Sequence, residues 1–426
     1  MRNHLVMLGS MILLAACAPE APEQPGAGAD ATSALLAPPA PGEGIQLHMT
    51  STIRPGQESY GCRLFQVPEG GLFVHDEAVH FSPGGHHVLL YRTPYKEIPK
   101  QNEHGVEVDA TEVHDCSEGA TAVWKVDAVL GGSETLGGEG MLHGLPEGVA
   151  LPVPAGTVLV MSTHYLNVSA KPIEVDARIN LYTIPKEEVT MEAGLLYIDN
   201  PILRVPPLGK SSSSMRCPIP SDVSIVNLQS HMHARGALFT AQVKSRRGLS
   251  AETIYSTTRW TEPPVEVYEP LLKLEAGDSI EMRCDFSSTE SRPVVHGLSS
   301  DDEMCQLIGP YFPRDERLEA CADETGKEAA TWTGTGSASG ADTLVCMNSA
   351  PLFSQDNGYA YLGCVLDSCP SIEREVSAVV RCHIDARAGA CARTCKGDEV
   401  EACRACLLEA CNAEEKALEC ATCAAD

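Results

Sequence analysis

Basic charge is scarce in this chain. Its 426 residues carry 31 Lys and Arg against 58 Asp and Glu, a net charge of −27. Nucleic-acid binding needs a basic surface, so that class is excluded. An anionic membrane surface is a poor partner on the same ground, and the surplus acid reads as solubility. Long apolar runs are also scarce. Leu5 to Ala16 is short for a bilayer span, and no later stretch is apolar enough to cross. Helical periodicity is missing as well between Ile45 and about Pro185.

Arg2 and the apolar stretch after it make a targeting segment rather than structure. It ends in Leu14-Ala15-Ala16-Cys17, which resembles a bacterial lipoprotein signal. That resemblance implies removal of residues 1–16, lipidation of Cys17 and a place in the bacterial cell envelope, anchored at the outer membrane. The alternative is an ordinary signal peptide with Cys17 unmodified. Residues 17–44, rich in Ala, Pro and Gly, read as a disordered tether. Export makes disulfides the default use of the 18 cysteines. Without Cys17 their number is odd, so at least one thiol is free, intermolecular or otherwise used.

Short apolar runs broken by Gly, Pro and Asn/Asp fill residues 45–186, among them Gly71–Val74, Val88–Tyr91, Thr157–Met161 and Ala177–Leu181. The same texture returns over 187–321, with a hydrophilic Lys210–Ser214 segment between two candidate strands. This spacing predicts an all-β fold of two tandem sandwiches. Residues 322–345, with Gly-Thr-Gly-Ser-Ala-Ser-Gly, read as a flexible linker. Residues 346–426 hold 11 cysteines and predict a small helical domain, with helices over Ile372–Asp385 and Glu399–Ala421. A segment this short needs disulfides to supplement burial. Zinc is the rival, since Cys403-x₂-Cys406 and Cys420-x₂-Cys423 match its spacing, but export favours oxidation and His383 is the one nearby histidine.

Gln229-Ser230-His231-Met232-His233 closes the apolar run Val223–Leu228. Residues two apart on a strand share a face, so His231 and His233 lie together and Met232 points away. Three distant stretches join them: His86-His87, His164, and Asp302-Glu303-Met304-Cys305. Two ligand sets follow, His86, His87 and His164 in the first sandwich and His231, His233 and Met304 in the second. Three imidazoles suit Cu, Zn or Fe, while a thioether favours Cu(I). His86 and His87 can share an ion only if the strand twists, which Pro83-Gly84-Gly85 could allow. Singly, each of these residues is more often a core or hydrogen-bonded side chain.

Together they resemble the copper type II, ascorbate-dependent monooxygenases, which include peptidylglycine alpha-hydroxylating monooxygenase and dopamine beta-hydroxylase. Tyr60-Gly61-Cys62 precedes His86-His87 at about the family distance, and His164-Tyr165 sits in a setting like the family's third histidine. His231-x-His233 follows Cys217. His296-Gly-Leu-Ser-Ser-Asp-Asp-Glu-Met304-Cys305 closely matches the family's segment. The resemblance covers residues 45–321. It implies two jelly-roll sandwiches with one copper each, facing across a solvent-filled cleft. His86, His87 and His164 would hold the electron-donating copper; His231, His233 and Met304 would hold the catalytic, oxygen-activating one. It also implies Cys62–Cys116, Cys284–Cys305 and Cys217–Cys321 disulfides, which leaves the odd thiol in the tail.

The implied activity is hydroxylation of a substrate C–H bond, with O₂ and a one-electron donor such as ascorbate. Substrate residues depart from the peptide-hydroxylating members. Gln229 stands where they carry a carboxylate-binding Arg, Ile308 where they carry a Tyr, and Ser162 where they carry a Gln; Tyr60 is a further candidate beside the substrate. A terminal carboxylate would lack its charge-assisted partner, which points to a small neutral or amine substrate. His296 is a candidate partner of the metal ligands or a structural hydrogen bonder. The rival from another class is a non-catalytic copper-binding or copper-sensing lipoprotein. A β-sandwich adhesion module and a zinc hydrolase are weaker readings, the latter because no carboxylate base stands out beside the histidines. A protein partner for the tail is not specified by its sequence.

Overall fold

The computed structural model describes residues 35–134, 138–246, 251–297, 299–322, 329–350, 358–396 and 400–424. The expected signal segment, Cys17 and most of the tether lie outside them. The fold is mostly strand, 41% against 19% helix. Among the described residues, no helix is long and apolar enough to cross a membrane.

The first sandwich has two sheets around one core. One sheet runs Gly44–Ile53, Ile173–Thr183, Leu72–Phe81, Val149–Val153, Met191–Glu192. The other runs His114–Asp115, Glu58–Gln66, Val158–Leu166, Gly85–Arg92, Ala128–Ser133. Val158–Leu166 is central in that sheet and buried on both faces up to Tyr165, as its unbroken apolar start requires. Leu36 and Ala37, at the end of the expected tether, are tied to this sandwich: their carbonyls accept from Gln46, Arg178 and Asn180.

The second sandwich pairs Gly194–Asp199, Gln306–Phe312, Val223–His231, Glu266–Leu274 in one sheet. The other is Glu252–Thr257, Gly236–Lys244, Ser279–Ser287, Lys210–Pro218, Thr331–Trp332. The serine run expected to separate strands is therefore itself a strand. Its hydroxyls make this possible: Ser213 accepts from Asn200 Nδ2 at 2.8 Å and donates to the Ile202 carbonyl, while Ser212 donates to Asp285 at 2.5 Å. Polar groups whose hydrogen bonds are met can be buried.

The expected linker is also ordered in part. Thr331–Trp332 closes a sheet, and Gly340–Ser349 is a helix that was not anticipated. So is Tyr359–Leu366, whose unbroken apolar run carries no amphipathic period. The helices at Glu373–Ala388, Val400–Ala410 and Asn412–Glu419 fall where helix was expected. The tail does not rely on its own core. Val376, Val379, Val380, Leu362 and Leu418 join the core of the second sandwich, and only a small cluster around Cys391, Cys403 and Leu407 is separate.

All three expected disulfides of the sandwiches are formed. Five more staple the tail: Cys346–Cys364, Cys369–Cys423, Cys382–Cys411, Cys391–Cys406 and Cys395–Cys403. The tail thiolates that zinc would need are thus taken up. Among the described residues the free thiol is Cys420, which is exposed.

Candidate metal centre

Two adjacent strands bring the first candidate ligand set together, and a third backs it with Tyr60. His87 sits directly opposite His164, and His164 directly opposite Tyr60. His86 is the extra residue of a β-bulge, because pairing jumps from Gly85–Tyr165 to His87–His164. On a regular strand, neighbours point to opposite faces; the bulge re-aims one of them. Gly84, at φ 92°, supplies the turn into it. The ring centroids then lie 5.4 Å apart for His86–His87 and 5.2 Å for each of these with His164. One donor atom from each ring lies within 4.8 Å of the other two.

The Nδ1 atoms of His86, His87 and His164 are all buried without a hydrogen-bond partner. An unmet buried polar atom costs about 1–3 kcal/mol, so three together need a reason. A metal ion shared by these nitrogens would meet all three. His164 is prepared for that role: its Nε2 donates to Glu58 at 2.8 Å, leaving the Nδ1 lone pair, and its ring stacks on Tyr60 at 4.1 Å and 12°. A carboxylate behind a ligating histidine sets both tautomer and orientation. Glu58 also accepts from Tyr60 at 2.7 Å and from Ser300 of the second sandwich at 2.6 Å.

The second set comes from two connections. His231 is the last residue of its strand and His233 follows in the turn, with centroids 5.0 Å apart. Met232 between them is buried in the second core. His233 Nδ1 donates to the Asp302 carbonyl at 3.1 Å, and His231 Nδ1 meets Glu134 at 2.6 Å. Both rings keep Nε2 for a metal. Glu303, fully buried, holds the set together: its carboxylate accepts from the backbone N–H groups of His233, of Arg235 at 3.0 Å and of Met304 at 2.9 Å. Met304 is buried and lines a cavity of about 30 Å³ with His87, His231, Glu134 and Tyr60. Cys305, next to it, is bonded to Cys284.

Electrostatics favour neutral rings in most of the cluster. Burial pushes His86 down to about 4 and His87 and His233 well below the ordinary imidazole value; His164 is also lowered by burial. Neutral imidazole is the metal-binding form. His231 differs. Burial alone would lower it, but the Glu134 carboxylate overrides this and raises it, and His231 in turn holds Glu134 low against its own burial.

One implied feature is overturned. The two sets do not face each other across an open cleft. His86 lies 6.0 Å from both His231 and His233, and His87 lies 6.0 Å from His231, centroid to centroid. Contacts between the sandwiches account for the closure. Glu134 and Ser300 cross it, Asn227 donates to the His143 carbonyl at 2.8 Å, and Val226 and Ile308 join the first core.

The substrate candidates are separated. Tyr60 lines the histidine cavity and Ser162 does too. Gln229 and Ile308 are cross-strand partners that line a different, tight space of about 20 Å³ with Ser133 and Met141. Gln229 is buried and donates to the Pro263 carbonyl at 2.8 Å. His296 bonds Asp199 at 3.1 Å, and Asp199 raises it against the opposing effect of burial. Glu134, Glu58 and Glu303 were not anticipated. Two of them left a trace: Glu58, two residues from Tyr60 and so on its face of the strand, and Glu303, inside the Asp302–Cys305 stretch singled out with Met304.

Residues 190–333 match the family model of the C-terminal domain of copper type II ascorbate-dependent monooxygenases. The stretch contains His231, His233 and Met304 and supports that family for the chain, with copper, ascorbate and an oxidoreductase activity as its associations. No curated protein matches the chain. Among solved structures, the major capsid protein P2 from Bacteriophage PM2 is 9% identical, covers 62% of this chain and 97% of its own, and has a TM-score of 0.19. Infectious bursal disease virus, Gt strain, is 9% identical with coverages of 63% and 71% and a TM-score of 0.17. Neither score carries an argument about fold.

Proposed function

We propose that this chain is a copper-dependent monooxygenase that hydroxylates a C–H bond of a small organic substrate, using O₂ and a one-electron donor such as ascorbate. The observation that carries the reading is the set of three orphaned Nδ1 atoms on His86, His87 and His164, gathered against His231, His233 and Met304. Bound copper would supply one-electron redox chemistry and, when reduced, a site for O₂. Two ions are proposed, one on each ligand set, held on two jelly rolls. The Met304 thioether favours the reduced ion. Glu134, Glu58 and the Asp302 carbonyl fix the rings by their far nitrogens, and the buried walls keep bulk water out.

Gln229 and Ile308 support a substrate without a carboxylate: the first is committed to Pro263 and the second to the core of the other sandwich. The proposed setting is the bacterial envelope, through lipidated Cys17. The test is copper stoichiometry followed by oxygen consumption with ascorbate and a panel of amines and neutral alcohols. About two coppers per chain and substrate-dependent uptake are expected. A fully loaded protein that turns over nothing in the panel, and whose oxygen uptake ignores substrate, would instead indicate a copper carrier.

A further inference from the structure

Far along the chain from the histidines, the Glu373–Ala388 helix of the tail lies against the second sandwich. A cavity of about 520 Å³ opens at this junction. Its wall carries Arg216, Lys244 and Arg246 from the sandwich and Arg374 and Arg381 from the helix. In a chain with net charge −27, five cations around one space is against the prevailing composition. A volume of this size suits a small molecule.

The acids nearby cancel this wall only in part. Asp278 is the carboxylate that lines it, and both its oxygens accept from backbone N–H groups, of Arg246 and of Glu275, at 3.0 Å. It serves the turn rather than a guanidinium. Glu281 and Glu373 pair with Arg216, and Glu281 also with Lys244. Glu275 pairs with Arg246 at 3.3 Å where both side chains are half exposed, and such pairs contribute little. Arg381 has a neutral partner, the Ala330 carbonyl. Two further atoms ask for a ligand. Nε of Arg216 and Oγ1 of Thr331, both on residues of the wall, are buried without a hydrogen-bond partner.

We propose that this junction is a binding site for a compact polyanion, a phosphoryl group or a di- or tricarboxylate, held by Arg216, Arg381 and Thr331 with Arg246 at the rim. Guanidinium forks match both kinds of oxyanion and prefer them to halide. Because the wall is shared, the ligand also ties the tail to the sandwich. The site is independent of the copper reading.

The experiment is calorimetric titration of the full chain with inorganic pyrophosphate and, separately, with citrate, in dilute and in 150 mM sodium chloride buffers, where screening should weaken but not abolish binding. One saturable site per chain is expected for at least one of the two anions, and which binds tighter assigns the phosphoryl or carboxylate source. Arg381→Gln should weaken it at least tenfold. Arg246→Gln, an exposed position that leaves the fold untouched, should weaken it several-fold and guards against a misfolded Arg381 variant. No saturable heat with either anion, or equal affinity in wild type and Arg246→Gln, overturns the proposal.

Discussion

The carboxylate of Glu134 in the first sandwich meets Nδ1 of His231 in the second at 2.6 Å, with both side chains almost wholly buried. The pair joins the two halves of the site and holds the His231 ring by Nδ1. Glu134 can reach because Gly132 precedes it at φ 129°, where a Cβ would stand 2.1 Å from the Val88 carbonyl oxygen. Only glycine permits that approach.

Glu134→Ala should leave His231 Nδ1 buried and unmet, at a cost of about 1–3 kcal/mol in stability. Copper affinity at the His231 set should fall about 10- to 100-fold, with the His86 set unchanged. Glu134→Gln, which can still accept from the ring, should be milder on both counts. Copper titration with urea unfolding of each variant checks this. Equal copper affinity in Glu134→Ala and wild type would show the carboxylate to be dispensable.

The candidate donors were legible in the sequence and their supports were not, for a physical reason. His86, His87, His164, His231, His233 and Met304 advertise themselves by donor chemistry. The bulge that lets His86 and His87 share a face was readable too, from Pro83-Gly84-Gly85. Glu134 meets a residue almost a hundred positions away, and nothing local marks a glutamate for such a contact. The closed junction was missed because it depends on Val226, which as sequence read only as part of a strand, and on Ile308, which read as a substrate position. The tail's helices were partly legible, but their burial against the second sandwich was not: amphipathic periodicity says that a face is covered, not by what.

Met304→Ile removes the thioether and keeps an apolar side chain of similar volume, so stability should change by less than about 1.5 kcal/mol. In the reduced, copper-loaded protein, X-ray absorption should show one sulfur neighbour in wild type and none in the variant. Persistence of the sulfur signal would remove Met304 from the ligand set, and with it the preference for the reduced ion at that position.

The copper-free protein should lose stability in mild acid. His86 is lowered from 6.5 to about 4, and burial also lowers His87 and His233. The folded state then binds fewer protons than the unfolded chain, so this contribution is complete above pH 6.5 and is lost as pH falls towards 4. Urea midpoints between pH 7 and pH 4 should drop, and His86→Gln should make the drop shallower. Parallel curves for the two proteins would mean that folding does not lower the His86 imidazole.

Glu77 carries the opposite sign. It is buried at 1% exposure, and its carboxylate accepts from Gly132 N–H at 2.9 Å and Leu142 N–H at 3.4 Å. It thereby ties both ends of the connection that bears Glu134. Gly131 and Gly140 make room, since a Cβ on either would come within 2.4 Å of its oxygens. Burial pushes it from 4.5 up to about 8. The folded state therefore holds a proton that the unfolded chain releases. The contribution is complete below about pH 4.5, declines as pH rises through the window to 8, and is level above it. Glu77→Gln is neutral throughout, so its melting temperature relative to wild type should climb between pH 5 and pH 8. Subtracting the two curves cancels the histidine effects common to both. A difference that stays constant over that window would mean that Glu77 is already ionised in the folded protein.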